Sequence, residues 1–425
     1  MPKDKVIVGI DVGSSKITTI VATAADESSV NIIGVSSHPS KGLRKGQVVD
    51  IDESVGAITQ SLEAAERMAG YSAGTAFVSV DGTHIESQNS KGVVAVSNPN
   101  GEISTEDVMR VIEAARAISL PSSREILHVI PRYFIVDSQS GIKDPIGMNG
   151  VRMEVETHIV TGATTALRNI AKCVSSIGID VEGMVFSGLA SSYSVLTDTE
   201  KELGVILVDF GGGTTNICIF VEGAPAYCSV LPIGARNVTN DLAIGMRISL
   251  ESAEKIKLAL STAPRVAVEI NESGESIDKR DSDQLDIASL SIEESIRNVS
   301  KKTLIDGIMK PRLREILNMV KLEIQKSNFA GLTPSGVVLT GGGAATVGMV
   351  DLAKQELGMP VRIGLPTGVT GLIDEISSPA YAASLGLVIY GAGYQQEEVR
   401  LPLVGRIAIK GVVNKGLSLI KSILP

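Results

Sequence analysis

Runs of β-branched and apolar residues alternate along the chain with stretches whose apolar residues recur every three or four positions. The first kind of run predicts buried strands, and the second predicts helices that bury one face. One such helix is expected to begin at a capping Asp52 or Ser54 and to end at Gly70. Ile58 and Leu62 would lie on its inward face. The alternation of strands and helices predicts an α/β protein.

Two segments of the chain share one pattern, which indicates an internal repeat. In each, a strand-like run ends in Asp-x-Gly, small hydroxylic residues follow, and a second β-rich run begins. The copies are Val8 to Thr19 and Leu207 to Cys218, with Asp11 aligned to Asp209. The pattern predicts strand, tight turn and strand, whereas a Walker A loop or a dinucleotide-binding turn would open a helix.

The composition of these turns suits a polyphosphate. Glycine lets the backbone approach a phosphate closely, and successive N–H groups and hydroxyls form an anion-binding concavity. An Asp at each strand end can hold a hydrated Mg²⁺, so we expect the metal at Asp11 and Asp209. The alternative is that each copy is only a β-hairpin whose Gly and Asp serve the turn. The predicted binding residues of the two turns are Asp11, Gly13, Ser14, Ser15, Lys16, Asp209, Gly211, Gly212, Gly213, Thr214, Thr215 and Asn216.

A third element is a strand-like run from Gly336 to Thr340, followed by Gly341, Gly342, Gly343 and Ala344. A helix pattern runs on from about Val347 to Leu357. A glycine run at a helix start offers free N–H groups and a positive dipole end. We expect an adenosine or an α-phosphate to lie against this bare backbone.

Composition narrows the class of protein. A chain of 425 residues is too long for one core, so we expect at least two domains. The net charge of −9 disfavours nucleic acid as a partner. Three cysteines without CxxC spacing argue against a disulfide framework or a zinc site and favour a reducing cytoplasm. We see no signal peptide, membrane-spanning stretch or catalytic histidine cluster, so any chemistry would depend on metal and bound water.

The end of the chain has an amphipathic pattern. No acidic residue follows Glu398, and five Lys or Arg residues do. A helix with an apolar stripe on one face and Lys residues on the opposite face is typical of helices that lie in a membrane interface, and anionic lipid would attract it. The alternative is a helix docked on the protein's own core. The predicted membrane-facing residues are Ile409, Lys410, Val412, Val413, Lys415, Leu417, Ile420, Lys421 and Leu424.

The two Asp-x-Gly hairpins and the glycine loop resemble the phosphate-1, phosphate-2 and adenosine motifs of the actin, Hsp70 and sugar-kinase superfamily. Within it, nearly the whole chain resembles the FtsA family of bacterial cell-division proteins. Further stretches carry the resemblance: Gly42 to Gly46, Val49 to Ile51, Pro232 to Ala243 and Ala253 to Lys257. The last of these implies that Glu254 and Lys257 lie beside the nucleotide.

The resemblance implies an actin-like (ribonuclease H-like) α/β fold, with two repeated α/β domains flanking a nucleotide cleft, each carrying an inserted subdomain. The first core subdomain would span 1–83, continued by 161–203 and about 380–396, with the insertion at 84–160. The second would span 204–244 and 331–379, with its insertion at 245–330. A linker at 397–404 and the amphipathic helix at 405–425 would follow.

The function implied by the resemblance is that of an ATP- and Mg²⁺-binding scaffold that polymerises with copies of itself. It would tether FtsZ filaments to the inner face of the cytoplasmic membrane at the division site, as a peripheral protein on an anionic surface. The second insertion would dock the C-terminal peptide of FtsZ, and other divisome proteins would be partners.

Three departures from the family pattern bear on catalysis. Asn216 stands where many relatives have Asp, and Ala235 replaces a usual Gly. The stretch 186–189 lacks the Glu-Pro found in more vigorous ATPases of the superfamily. We therefore expect weak ATPase activity or none.

Other functions of the superfamily stay open at this point. A pilus-assembly actin-like ATP-binding protein would lack the terminal amphipathic helix. A small-metabolite kinase would need a further Asp as a base for a substrate hydroxyl, and an Hsp70-type chaperone would need a peptide-binding domain beyond residue 400.

Overall fold

The structure is a computed structural model that describes residues 5–25, 29–262, 283–287, 290–292, 294 and 299–394. The chain divides into two units, Met1–Gly393 and Tyr394–Pro425. All the helices and strands of the described residues belong to the first unit. The predicted linker and amphipathic helix lie outside the described residues.

The first core sheet has six strands in the order β11, β6, β1, β2, β3 and β17. Strands β1, β2 and β3 pair in antiparallel fashion, and β6 and β11 continue the sheet in parallel with β1. The strands are β1 (Lys5–Val12), β2 (Lys16–Ala24), β3 (Val30–Pro39), β6 (Thr75–Val80), β11 (Asp180–Phe186) and β17 (Val369–Gly371). The helices α1 (Ile51–Ala69), α3 (Thr164–Ser175), α4 (Ser187–Val195) and α12 (Ala382–Gly393) pack on it.

The second core sheet has five strands in the order β14, β13, β12, β15 and β16. Its first three strands are antiparallel and its last two run parallel to β12. The strands are β12 (Val205–Phe210), β13 (Thr215–Val221), β14 (Ala224–Leu231), β15 (Val337–Thr340) and β16 (Val361–Ile363). The helices of this half are α5 (Asp198–Leu203), α6 (Ala235–Met246), α7 (Leu250–Thr262), α8 (Lys301–Leu304), α9 (Lys310–Lys326), α10 (Met349–Leu357) and α11 (Ile373–Ile376).

The repeat seen in the two hairpins extends to five strands of each core sheet. In both, a three-stranded antiparallel meander is followed by two parallel strands on the side of the first strand. The central strands β1 and β12 are buried on both faces, which explains their nearly unbroken apolar runs. Because the parallel strands run in the same direction as β1 and β12, they end at the same edge of the sheet as the hairpin turns. Ligands of α/β sheets bind at such edges.

A third sheet separates β6 from α3 in the chain. It is four-stranded and antiparallel, in the order β7, β10, β8 and β9. Helix α2 (Thr105–Arg116) covers it, and Ile103, Val111, Phe134 and Met153 form its own core. The strands are β7 (Glu86–Ala95), β8 (Arg124–Val136), β9 (Gln139–Ile142) and β10 (Arg152–Ala163). A separate two-stranded hairpin joins β4 (Leu43–Arg44) to β5 (Gln47–Val48).

Several local expectations need correction. The cap of α1 is Asp50, because its carboxylate accepts the Glu53 N–H at 3.0 Å. The sequence from Thr161 to Gly178 predicts a helix, but residues up to Ala163 continue β10, since they pair with β8, and α3 begins at Thr164. The sequence from Leu304 to about Ser327 predicts one long helix, but its first turn is π-helical, Ile305–Met309, and α9 follows at Lys310–Lys326.

Two larger apolar cores lie among the described residues. One lies between the faces of the two core sheets and α1, α3 and α4, with Val78, Phe186 and Leu207 among its members. The other joins the opposite face of the second sheet to α6, α7, α9 and α10. No helix among the described residues has the length and apolar character needed to cross a bilayer.

Candidate functional site

A cleft of about 710 Å³ lies between the two core sheets, at the edge where both hairpin turns are found. It brings together residues that are almost 200 positions apart in the chain. The predicted site residues that line it are Asp11, Gly13, Ser14, Ser15, Lys16, Asp209, Gly211, Gly212, Thr214, Asn216, Glu254, Lys257, Gly341, Gly342 and Gly343.

The two turns approach each other across the cleft. A Cβ at Gly212 would lie 2.7 Å from Cβ of Ser15, and one at Gly213 would lie 2.9 Å from Cβ of Ser14. Such separations are too short for side chains, so the approach of the turns depends on glycine in the second turn. The two hairpins therefore form the two walls of one narrow site.

Each repeated Asp is held by a serine from a neighbouring element. The Ser79 hydroxyl donates to Oδ1 of Asp11 over 2.7 Å, and its oxygen accepts the Val12 N–H at 2.8 Å. In the second half, the Ser191 hydroxyl of α4 donates to Oδ2 of Asp209 over 2.7 Å. The serines fix the orientation of both carboxylates at the floor of the cleft.

The cleft also contains Asp81, which the sequence analysis missed. Asp81 follows β6, and its Oδ1 accepts the Gly82 N–H at 2.6 Å. Its Oδ2 accepts the hydroxyl proton of Thr214 from the opposite turn. A usable signal was present in the sequence, since Asp81 and Gly82 follow a strand-like run just as Asp11 and Gly13 do.

Burial and mutual repulsion raise the pKa values of the three Asp carboxyl groups in the cleft. Burial, together with the nearby charges of Asp81 and Asp11, raises the pKa of Asp209 to about 7, against the hydrogen bond from Ser191. Burial likewise raises the pKa of Asp11 and of Asp81. Carboxyl groups whose ionised form is disfavoured in this way gain from a bound cation.

Lys16 is the cation of the first turn. Burial lowers the pKa of its amine to about 8, and the nearby Asp11 opposes that shift. The Lys16 Nζ lies 3.6 Å from the centre of the Tyr381 ring. Lys16 thus stands at the cleft wall with its charge partly desolvated, which suits an anionic ligand.

The far end of the cleft is built from α6, α7 and the glycine loop. Oε2 of Glu254 accepts from Nζ of Lys257 at 2.7 Å and from the Thr239 hydroxyl at 2.6 Å. Gly341 has φ +80°, and a Cβ there would lie 2.3 Å from Oδ1 of Asp209. The loop continues as a 3₁₀ turn, Gly342–Ala345, and α10 begins at Met349, close to the predicted start at about Val347, so the glycines precede the helix and do not form its first turn.

Three predicted site residues do not line the cleft. The Thr215 hydroxyl donates to the Ile233 carbonyl at 2.8 Å, inside the second half. Ala344 is buried in the core of the same half, where it helps to seat the glycine loop. Gly213 lies against Ser14 of the first turn. The predicted membrane-facing residues, Ile409 to Leu424, lie outside the described residues.

The donors around the cleft floor suit a hydrated divalent cation. In the part of the chain that the structure describes, no three His, Cys, Asp or Glu side chains lie close enough to hold a metal directly. Mg²⁺ usually keeps several of its waters and binds one or two carboxylates. Asp11 and Asp209 fit this mode, because each keeps a second carboxylate oxygen beside the one that its serine holds.

Comparisons with known families match two stretches of the chain. Residues 82–161 match the family described as "SHS2 domain inserted in FTSA", and residues 206–386 match "Cell division protein FtsA". The first stretch contains the third sheet and α2, and the second contains the second hairpin and the glycine loop.

A known protein supports the family, and two known structures share the fold. The chain is 39% identical over 401 residues to the cell division protein FtsA of Pseudomonas aeruginosa, covering 94% of this chain and 93% of that protein. A chain of the PilM–PilN type IV pilus biogenesis complex shares the fold, with a TM-score of 0.59 at 16% identity, covering 91% of this chain and 99% of that one. MreB5 of Spiroplasma citri bound to ADP gives a TM-score of 0.50 at 12% identity, covering 91% and 96%.

These findings confirm the actin-like α/β fold with an inserted subdomain, and the resemblance on which the fold was predicted. The chain belongs to the FtsA family of cell-division proteins.

Proposed function

We propose that the cleft binds Mg-ATP and that the bound nucleotide controls assembly of a cell-division scaffold. The observation that carries the proposal is the position of Asp11 and Asp209, which end matching strands of the repeat and line one cleft. The fold neighbour MreB5 was crystallised with ADP. The paired turns give this chain the glycines, hydroxyls and carboxylates that such a ligand needs.

The phosphates would lie between the two turns. The Ser14 oxygen accepts the Gly46 N–H at 2.8 Å, which leaves its own proton free to be donated to a phosphate oxygen. Ser15, Lys16 and the glycines of the second turn would supply the other donors and the positive charge. Magnesium would lie beside Asp11 and Asp209 and neutralise the negative charge of the polyphosphate.

The nucleoside would lie towards α7 and the glycine loop. Glu254 and Lys257 line this end together with Gly341 and Gly342. The carboxylate of Glu254 is exposed enough to accept from ribose hydroxyls, while Lys257 is held by Glu254 and Thr239. Bare glycine backbone lets a flat base or sugar lie close to the chain.

We propose slow hydrolysis or none. Ser187 stands at the start of α4, where the more active ATPases of the superfamily have a glutamate, and its hydroxyl donates to the Val80 carbonyl at 3.2 Å. A serine hydroxyl is a poor base at neutral pH, so it would not activate a water for attack on the γ-phosphate. The nucleotide would then act as a switch for polymerisation.

The scaffold would polymerise with copies of itself and tether FtsZ filaments to the inner face of the cytoplasmic membrane. Family membership supports the role in cell division. The basic, amphipathic pattern of residues 405–425 supports the membrane contact, and many tails on one polymer would bind far better than one. The FtsZ C-terminal peptide would dock on the insertion at 245–330.

A liposome pelleting assay tests this role. The full chain and a variant lacking residues 405–425 are spun with anionic and with neutral liposomes, with and without Mg-ATP and the FtsZ tail peptide. We expect the full chain to pellet with anionic liposomes, more strongly with ATP, and to carry the peptide down. Equal pelleting of the truncated variant would contradict the membrane role, and a peptide left in the supernatant would contradict the FtsZ role.

A further inference from the structure

Asp81 is a charged residue in the cleft that the proposed clamp of two hairpins does not use. It follows β6, which runs parallel to β1 with Ile10 opposite Val78. The side chains of Asp11 and Asp81 therefore project from adjacent strands at the same edge of the sheet. Asp81 is buried and lines the cleft floor.

The Asp81 carboxylate joins the two halves of the site. One oxygen accepts the N–H of Gly82 in its own half, and the other accepts the Thr214 hydroxyl from the second turn. The two carboxylate oxygens have four lone pairs between them, so one remains for a further donor beside Gly82, Thr214 and the amide of Asn216. Water molecules on a divalent cation are strong donors of this kind.

Asn216 gives a second, independent indication of a ligand at this place. Its amide lies beside Asp81 and Asp209, since it lowers the pKa of both. Asn216 is 3% exposed and lines the cleft. Its Oδ1 has no hydrogen-bond partner among the residues that the structure describes. A buried carbonyl oxygen without a donor is costly unless a ligand or a water fills the place.

We propose that Asp81 and Asn216 complete the cation site of this cleft, with Asp81 as a third carboxylate that holds waters of the magnesium ion accompanying the nucleotide. This inference rests on the proposed function, because it names further residues of the same site. Asp81 also acts against a nucleotide without metal, since it places a third negative charge beside the phosphates. Its charge would thus make ATP binding depend on the cation.

The substitution Asp81→Asn separates this role from a structural one. Asparagine keeps the size of the side chain and one acceptor oxygen for the Thr214 hydroxyl, but it removes the charge and replaces the oxygen that accepts the Gly82 N–H. In excess magnesium we expect ATP affinity to fall about tenfold, because the charged acceptor for the waters of the cation is lost. In excess EDTA we expect ATP affinity to rise about tenfold, because one repulsive charge is gone. A purely structural defect would move both affinities in the same direction.

The measurement is isothermal titration calorimetry of ATP into the full chain in both buffers. Asp180→Asn is the matched control, because Asp180 starts β11 in the same sheet at the opposite edge and is exposed. Asp81→Ser, which is small and neutral, replaces Asp81→Asn if that variant does not fold. Affinities that shift together in both buffers, or match the control, overturn the inference. Failure of the unsubstituted chain to bind ATP in either buffer would overturn the proposed function itself.

Discussion

The hydroxyl of Ser191 donates a hydrogen bond of 2.7 Å to Asp209, from a helix that lies between the two core sheets. Both side chains are buried, so the bond is shielded from water. It opposes the burial that favours the protonated form of Asp209. Ser191 is thus a positioning residue for the carboxylate that we assign to the cation.

Removal of this hydroxyl should weaken nucleotide binding. For Ser191→Ala we expect Mg-ATP affinity to fall about tenfold, the effect of one lost hydrogen bond to a charged group. Ser192→Ala is the control, since Ser192 is equally buried on the same helix but donates to the Leu189 carbonyl at 2.6 Å. Isothermal titration calorimetry measures the Mg-ATP affinity of both variants. Equal affinities of Ser191→Ala and Ser192→Ala would argue against a positioning role for Ser191.

The raised pKa of Asp209 predicts a pH dependence of stability in the ligand-free protein. The folded state keeps the proton up to about pH 7, whereas the unfolded chain loses it near the ordinary pKa of 3.8. Between these values the folded state binds more protons, so its stability falls as pH rises. This contribution is fully present below the lower value and is lost above the higher one.

Comparison with Asp209→Asn isolates that contribution. Relative to the variant, the unsubstituted chain should lose on the order of 1 kcal/mol of stability per pH unit between about pH 4 and pH 7. Thermal melting of both proteins across this range, without nucleotide or metal, measures the difference. Parallel curves for the two proteins would mean that Asp209 is ionised throughout the range.

The packing of α12 on α4 should be sensitive to a single methyl group. A Cβ at Gly386 would lie 1.8 Å from the Ala190 carbonyl oxygen, on the helix that carries Ser191. We expect Gly386→Ala to destabilise the protein by about 3 kcal/mol, because neither backbone can move away freely. Gly56→Ala in α1 is the control, since its Cβ would meet nothing within 4 Å, and it should stabilise by roughly 0.5 to 1 kcal/mol. Chemical denaturation that ranks the two in the opposite order would contradict this packing.

The sequence predicted what is local in the site. Both hairpins form as their Asp-x-Gly patterns indicated, and Asp11 and Asp209 reach the same cleft. The predictions that were wrong concern the ends of helices, where neighbouring residues compete for the same role. Asp50 caps α1, although Asp52 and Ser54 are also suitable capping residues. Thr161 to Ala163 extend β10, although α3 follows directly.

The residues that sequence reasoning missed come from elements distant in the chain. Ser79 and Asp81 reach Asp11 only because β6 pairs beside β1, and Ser191 reaches Asp209 only because α4 packs against both sheets. No pattern within a short window records such pairings. The order of the strands in each sheet decides which side chains meet. The internal repeat indicates that the two sheets share one strand order, but it does not tell what that order is.

The measurement closest to the central claim is calorimetric titration of Mg-ATP into the full chain and into Asp209→Ala. If the repeated turns clamp a magnesium nucleotide, the full chain binds and the variant loses at least about tenfold in affinity, because the cation loses a carboxylate in a shielded site. Equal affinity in the two proteins, with both folded by circular dichroism, would contradict the assignment of this cleft.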